Sequence, residues 1–281
     1  LLVEINAQMS TYISDSELSL FNDYTMTDWF PVSFETAMVV AEGIKIHKLT
    51  EGAFDITVGP LVNLWGFGPP GGKEEIPSAE KINESLKKVG SQYLKSRLSP
   101  PALKKDSADL YVDLSGIAKG FGVDSIANLL ETQGIMNYIV DIGGEMKTRG
   151  RKKDNSPWRI AIETPIVDKK EIHKVIDLND RAIATSGDYR NYFEKNGKRY
   201  SHEINPRTGY PIQHRLASVT VLDSSCMRAD ALATALIVLG PEEGYQLAER
   251  ESKAALFIIK GENGFFEKET TKFKREYYDK E

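Results

Sequence analysis

Between Met136 and Asp223 the chain reads as strand after strand with almost no helical signal between them. MNYIVDIGGEMKTRG, WRIAIETP, HKVIDL and RAIATSGDY have the look of successive strands, and RLASVTVLD of another. Runs rich in β-branched and aromatic residues, bounded by turn formers, are strand signals. Asn196-Gly197, inside Glu194 to Arg199, marks a hairpin turn. Strands that follow one another, instead of alternating one for one with helices, argue against a doubly wound parallel sheet. They predict an α+β fold with a mixed or antiparallel sheet and flanking helices. No internal repeat, low-complexity segment or long linker interrupts the 281 residues, so a single compact unit, with room to be bilobed, is expected over 1–281.

Helical periodicity lies on either side. Leu2, Ile5 and Met9 fall on one face of a helix over Leu1 to Tyr12. Ser14, Asp15 and Ser16 supply turn or N-cap chemistry for SDSELSLFN. Phe34 to Thr50 reads as a long helix ended by Glu51-Gly52. Gly52 to Gly72 moves from a loop into a short helix, broken by Pro69, Pro70, Gly71 and Gly72. Ser78 opens a helix with Glu80 near its second position and Gly90 as its stop. Short strands fill Tyr93 to Val112. The helix after Gly116 carries Val123, Ile126, Ala127 and Leu130 at the spacing of a buried face. A helix over Met227 to Leu239, another near Glu242 to Arg250 and a strand AALFIIK follow. The tail FEKETTKFKREYYDKE is charge-rich and reads as solvated.

Composition narrows the function. A net charge of −5 argues against nonspecific nucleic-acid binding as the main task. The lone cysteine, Cys226, excludes an intramolecular disulfide and a cysteine zinc cluster, and reads as buried. It leaves the compartment open. No apolar run reaches the ~18–20 residues of a membrane span. The chain opens at Leu1, in mid-helix, which reads as a trimmed or mature form. The lack of a visible signal peptide therefore says nothing about compartment.

Two segments carry the chemistry. In Val112 to Glu145, Asp113, Gly116, Lys119 and Gly120 surround the start of a helix. Gly116 and Gly120 would let backbone approach a ligand, the free N–H groups of a helix beginning near Ile117 face any anion, and Lys119 can reach a phosphate. The string is neither a P-loop nor GxGxxG, so a plain glycine-rich turn stays open. In Ser224 to Gly240, Asp230 and Thr234 lie one helical turn apart, with Leu232, Ala235, Leu236 and Leu239 on the opposite apolar face. A carboxylate and a hydroxyl suit Mg²⁺. A dipole-favoured aspartate beside a threonine back-bonded to its own helix is the alternative. His202, between a strand and a Pro-Gly turn, is either a general base or a hydrogen-bonded structural residue. Asp55 either binds a polar ligand or caps the following turn. His47, His173 and His214 show no ligand spacing and read as surface or helix residues.

Taken together these strings resemble the ApbE family of flavin transferases. The matching segments are MSTYISDSELSLFN, GAFDITVGPLVNLWGFG, VDLSGIAKGFGVD, YIVDIGGE, WRIAIETP, AIATSGDYRNYF, RYSHEINPRTGYP and ADALATAL, in that order along nearly the whole chain. The resemblance implies an α+β fold and a Mg²⁺-dependent enzyme that splits the diphosphate of FAD. It implies transfer of FMN to a Thr or Ser hydroxyl of a partner protein, with release of AMP. The implied acceptor is a subunit of a membrane redox complex bearing a Ser/Thr-Gly-Ala-Thr type motif. Residue by residue, the resemblance assigns Asp230, Thr234 and the carbonyl of Gly116 to Mg²⁺. It assigns Tyr12, Ala53, Phe54, Asp55, Asp113, Lys119 and Ile204 to FAD, and His202 to catalysis with Asp188 as second candidate for the base. Asn22 is expected near the flavin-side loop. The family's early Met-Gly-Thr strand does not precede Leu1 here.

The same resemblance implies an exported or periplasmic protein held at the inner membrane as a lipoprotein. Two other readings remain at this stage. One is a Mg²⁺-dependent FAD diphosphatase that uses water and yields FMN and AMP. The other is a flavin-binding lipoprotein without turnover, against which the combination of Asp230, Thr234, Lys119 and His202 argues.

Overall fold

The computed structural model describes residues 1–69, 75–166, 171–189 and 191–278. In chain order its elements are α1 (Leu2–Met9), α2 (Glu17–Asp23), β1 (Phe30–Pro31), α3 (Phe34–Leu49), α4 (Gly59–Leu64), α5 (Ala79–Leu86), β2 (Leu94–Leu98), β3 (Pro101–Lys105) and α6 (Ala118–Thr132). Then come β4 (Tyr138–Ile142), β5 (Glu145–Arg149), β6 (Trp158–Glu163), β7 (Ile172–Leu178), β8 (Ala182–Gly187), β9 (Tyr192–Lys195) and β10 (Lys198–Ser201). The chain ends with β11 (Leu216–Asp223), α7 (Cys226–Arg250), β12 (Ala254–Gly261), β13 (Gly264–Glu269) and α8 (Thr271–Tyr278). The fold is α+β, and it divides into two units, 1–118 with 193–212, and 119–192 with 213–281.

The first unit is built on capped helices. Ser16, Ser33 and Ser78 each take a backbone N–H of the helix that follows, from Ser19 at 3.0 Å, Thr36 at 3.2 Å and Lys81 at 3.4 Å. Each cap satisfies a donor that the first turn cannot pair internally. Strands β1, β3 and β2 form a small antiparallel sheet in that order, against which α3 packs. A core of Leu61, Trp65, Ile82, Phe193, Tyr200 and Ile204 joins α4 and α5 to the β9–β10 hairpin. Trp65 stacks on Tyr200 and donates its indole N–H to the Gly209 carbonyl at 2.8 Å. Replacing this fully buried ring with alanine is expected to cost about 3–5 kcal/mol. The expected helix break after α4 falls partly on Pro70, Gly71 and Gly72, which lie outside the described residues.

The second unit centres on a six-stranded antiparallel sheet in the order β13-β12-β11-β8-β5-β4. Strand β11 is buried at seven of its eight positions, Ser218 and Thr220 included, so both of its faces are covered. Helix α7 packs on β8 and β11. Helix α6 buries Val123 and Ala127 in a cluster with Tyr138, Val140, Ala182 and Cys226. A second cluster gathers Ile160, Ile162, Ile176 and Leu178 of the β6–β7 hairpin with Ile183, Leu256, Ile258 and Phe273.

Three expectations are corrected. MNYIVDIGGEMKTRG is two strands, not one. Gly143 and Gly144, at φ 65° and 103°, turn the chain tightly, and both need the left-handed region that glycine tolerates. The tail is not simply solvated. It forms β13 and α8, and Phe273 is fully buried under the sheet. Residues 279–281 of that tail, and Arg190 within AIATSGDYRNYF, lie outside the described residues. Finally, the Asp230 side of α7, expected to point away from the main packing stripe, is itself packed, since Ala229 to Ala233, Asp230 included, are all buried. The two helices expected here do exist, run together and broken at Gly240 (φ 84°, ψ −177°) ahead of Pro241.

Candidate active site

In the first unit the Ala53–Asp55 segment is held from all sides. The Asp55 carboxylate is buried. Its Oδ1 accepts from the Thr57 N–H at 2.8 Å and from the Thr57 and Ser91 hydroxyls at 2.6 Å each. Its Oδ2 accepts from the Ser91 N–H at 3.1 Å and pairs with His47 Nδ1 at 3.1 Å. His47 Nδ1 also lies 3.1 Å from the Phe54 carbonyl. Burial works against both charged forms. The ion pair and hydrogen bonds outweigh it, holding Asp55 below the usual carboxylate range and His47 above the usual imidazole value. A carboxylate offers about four lone-pair sites, and here they are filled. Asp55 therefore does the turn-capping work that was one of its two readings, and its side chain is not available to a ligand. Ala53 and Phe54 are also buried, and the Phe54 N–H bonds the Thr50 hydroxyl at 3.1 Å. Arg207 adds a brace, donating to the Glu51 and Thr50 carbonyls at 3.0 and 2.8 Å.

Asp113 is tied to this loop. Its N–H bonds the Ile56 carbonyl at 2.7 Å, and its Oδ1 takes the Ser115 N–H at 2.9 Å. One residue earlier, the Asn22 side chain pairs with both backbone groups of Val112, donating at 2.9 Å and accepting at 2.7 Å. Asn22 is thus a backbone clamp for the segment that carries Asp113. Beside it the buried Lys105 donates to the Asn22 carbonyl at 2.9 Å. Tyr12 is exposed in the turn after α1, whereas Ile204 is buried in the unit's core. Gly116 is half-buried in the turn ahead of α6. His202 follows β10 half-exposed, its Nε2 3.5 Å from Glu203 Oε1 and its ring edge-on to Phe67. A carboxylate beside an imidazole is the arrangement that orients a base.

In the second unit the start of α6 meets the start of α7. Asp230, 4% exposed, accepts the Gly120 N–H on Oδ2 at 3.0 Å. The anion facing the α6 N-terminus is thus a carboxylate of the protein itself. Gly120 serves packing, not ligand approach, because a Cβ there would lie 2.3 Å from the Cys226 carbonyl oxygen. Asp124, further along α6, fastens the same junction by accepting from the Ser225 hydroxyl at 2.8 Å and the Met227 N–H at 3.1 Å. Thr234 Oγ1 lies 3.2 Å from the Ser186 hydroxyl of β8. Lys119 extends to Glu145, Nζ to Oε2 2.8 Å. Asp188, past the end of β8, lies 3.4 Å from Lys260 Nζ. Cys226 is buried as expected, with its thiol pushed up by that burial.

Among the described residues no three His, Cys, Asp or Glu side chains gather into a metal cage. One buried carboxylate and one hydroxyl a turn apart suit a cation that takes few protein ligands and completes its shell with phosphate oxygens and water, as Mg²⁺ does.

The model of the ApbE family matches residues 1–258. The chain belongs to the ApbE family. Among its curated relatives, the FAD:protein FMN transferase of Vibrio cholerae is 53% identical over 98% of this chain and 81% of its own length. That of Haemophilus influenzae is 48% identical over the same shares. Among solved structures, the flavin transferase ApbE from Vibrio cholerae is similar at a TM-score of 0.89 and 51% identity, covering 97% of this chain and 86% of its own. The apo form of the Pseudomonas stutzeri flavinyl transferase ApbE is also similar at 0.89, with 44% identity over 98% and 84%.

Within this ApbE chain, five partners of the candidate residues escape a reading of the sequence alone: His47, Glu203 and Arg207 in the first unit, Glu145 and Ser186 in the second. Glu203 had a signal, being next to His202. Glu145 had one too, as the residue after a Gly-Gly turn. His47, Ser186 and Arg207 reach their partners only through tertiary contact.

Proposed function

We propose that the chain is a Mg²⁺-dependent FAD:protein FMN transferase that cleaves the FAD diphosphate, attaches FMN through a phosphoester to a Thr or Ser of a partner protein, and releases AMP. The observation that carries this reading is the buried Asp230, one turn from Thr234 and at the first turn of α6 next to Lys119. Its support from kinship is the 53% identity with a curated FAD:protein FMN transferase over 98% of the chain.

Asp230 and Thr234 would hold Mg²⁺, which when bound supplies charge neutralisation at the diphosphate. Lys119 adds a positive charge for a phosphate oxygen. His202, oriented by Glu203, takes the proton of the acceptor hydroxyl. That oxygen then bonds the FMN phosphorus as the bond to the AMP oxygen breaks, and AMP leaves with the electron pair. Asp188 is the weaker candidate for the base, since its carboxylate already faces Lys260. The acceptor is read as a subunit of a membrane redox complex with a Ser/Thr-Gly-Ala-Thr type motif. The chain itself is read as exported and lipid-anchored at the inner membrane. No helix among the described residues is long and apolar enough to cross a membrane. Detergent partitioning of the native protein with a lipid label would test that anchoring.

Incubation with FAD and Mg²⁺, with and without a domain bearing that motif, tests the reaction. An acceptor heavier by one FMN, with matching AMP, is expected. AMP and free FMN with an unmodified acceptor would favour the diphosphatase, and bound FAD without AMP would favour a carrier.

A further inference from the structure

Lys119 is the second residue of α6, where the backbone dipole opposes a cation. A long, flexible ammonium arm placed there needs a fixed counter-charge if it is to keep one orientation. Glu145 supplies one. It is the first residue of β5, directly after the Gly143–Gly144 turn, and only 3% exposed. Its Oε2 lies 2.8 Å from Lys119 Nζ, although that buried oxygen has no aligned hydrogen bond. The distance defines the contact as an ion pair held by charge. Neighbouring carboxylates have other tasks. Asp230 takes the Gly120 N–H, and Asp141 takes the Gly144 N–H at 2.9 Å, which fixes the turn that delivers Glu145. Burial pushes the Glu145 carboxyl up and Asp141 adds to that, while Lys119 pulls it down. Lys119 itself remains half-exposed, whereas Glu145 is buried.

We propose that Glu145 is a positioning residue for the transfer reaction: it anchors the Lys119 ammonium so that it meets the diphosphate of FAD in one fixed orientation. The proposal rests on the reading of Lys119 as a diphosphate contact. Lys119 matters most as charge builds on the breaking bond, and an anchored cation needs no reorganisation at that moment. Loss of the anchor therefore lowers kcat. It does not weaken FAD binding, because removing a carboxylate also removes a competitor for the ammonium.

The test is a double-mutant cycle on the whole chain with Glu145→Gln, Lys119→Met and the pair, measuring kcat and the KM for FAD from AMP release at saturating Mg²⁺. Glu145→Gln is expected to lower kcat about tenfold, by the scale seen when a supporting residue is lost, with no rise in KM. In the Lys119→Met background the same change is expected to do nothing further. Glu145→Asp, which keeps the charge on a shorter arm, is expected to restore part of kcat and serves if the glutamine variant folds poorly. A full additional tenfold loss in the Lys119→Met background would overturn the proposal, as would a raised KM at unchanged kcat. Wild-type kinetics in Lys119→Met alone would instead remove Lys119 from the diphosphate, and the anchoring role would go with it.

Discussion

Asp55 and Asp230 are nearly equal in burial, at 5% and 4% exposed, and differ in the company they keep. Asp55 lies in a loop of the first unit and is surrounded by two backbone N–H groups, two hydroxyls and an imidazole. Its lone pairs go to holding the loop together. Asp230 lies on a helix of the second unit, caps the α6 N-terminus through Gly120 and shares a helix face with Thr234. Equal burial therefore gives no measure of function. What separates the two is the company of the carboxylate. A crowd of donors makes a structural staple, whereas a carboxylate with a hydroxyl one helical turn away offers the oxygen pair that suits a cation.

The comparison is broken or sharpened most by two alanines. Asp55→Ala strands His47 and four donors inside the first unit, with an expected loss of about 3–5 kcal/mol in urea unfolding. Asp230→Ala is expected to lose about 1 kcal/mol as a helix cap, while Mg²⁺-dependent AMP release falls about a hundredfold or more. Should the two variants lose stability equally, or should Asp230→Ala keep its turnover, the contrast collapses.

His202→Ala is expected to slow AMP release about a hundredfold with FAD still bound, as followed by flavin fluorescence. A wild-type rate would exclude it as the base. Gly120→Ala forces a methyl against the Cys226 carbonyl, at an expected cost of about 1–3 kcal/mol by calorimetry. An unchanged melting temperature would mean that α6 and α7 are not as closely joined as their backbones indicate. Thr234→Val removes one hydroxyl and keeps the shape. The Mg²⁺ concentration for half-maximal rate is expected to rise about tenfold, and no rise would take Thr234 out of the metal site.

The smallest effect is one of pH. His47 has a raised pKa, so its contribution to stability is complete below the unfolded imidazole value and fades as pH climbs through the folded one. Asp55 has a lowered pKa, so its contribution is complete above the unfolded carboxylate value and fades as pH falls through the folded one. The pair supports the first unit best from about pH 4 to about pH 6.5. Urea midpoints at pH 5.5 and 8.5 should differ in the wild type, and His47→Gln should flatten the alkaline side. An equal fall in both proteins would place the sensitivity elsewhere.

Much of this was legible in the sequence, because the signals are local. Ser16, Ser33 and Ser78 cap helices within three residues of themselves. Asn196-Gly197 turns its own hairpin, and Val123 and Ala127 repeat at helical spacing. The Gly143–Gly144 turn is legible too, although strand-like residues on both sides mask it. The tail misled because charged residues dominate α8, whose anchor is one buried ring, Phe273.

The sequence by itself determined the α+β class, the capped helices, the family and which residues are candidates for the chemistry. These depend on side-chain type and short spacing, which the order of residues states outright. Only the tertiary structure decided what each residue does. It sent the Asp55 carboxylate inward, brought Asp230 to the α6 N-terminus 110 residues away in the chain, and set Glu145 against Lys119. The physical reason is that a buried polar group must find partners wherever packing places them, and a partner across a hundred residues leaves no trace in local spacing.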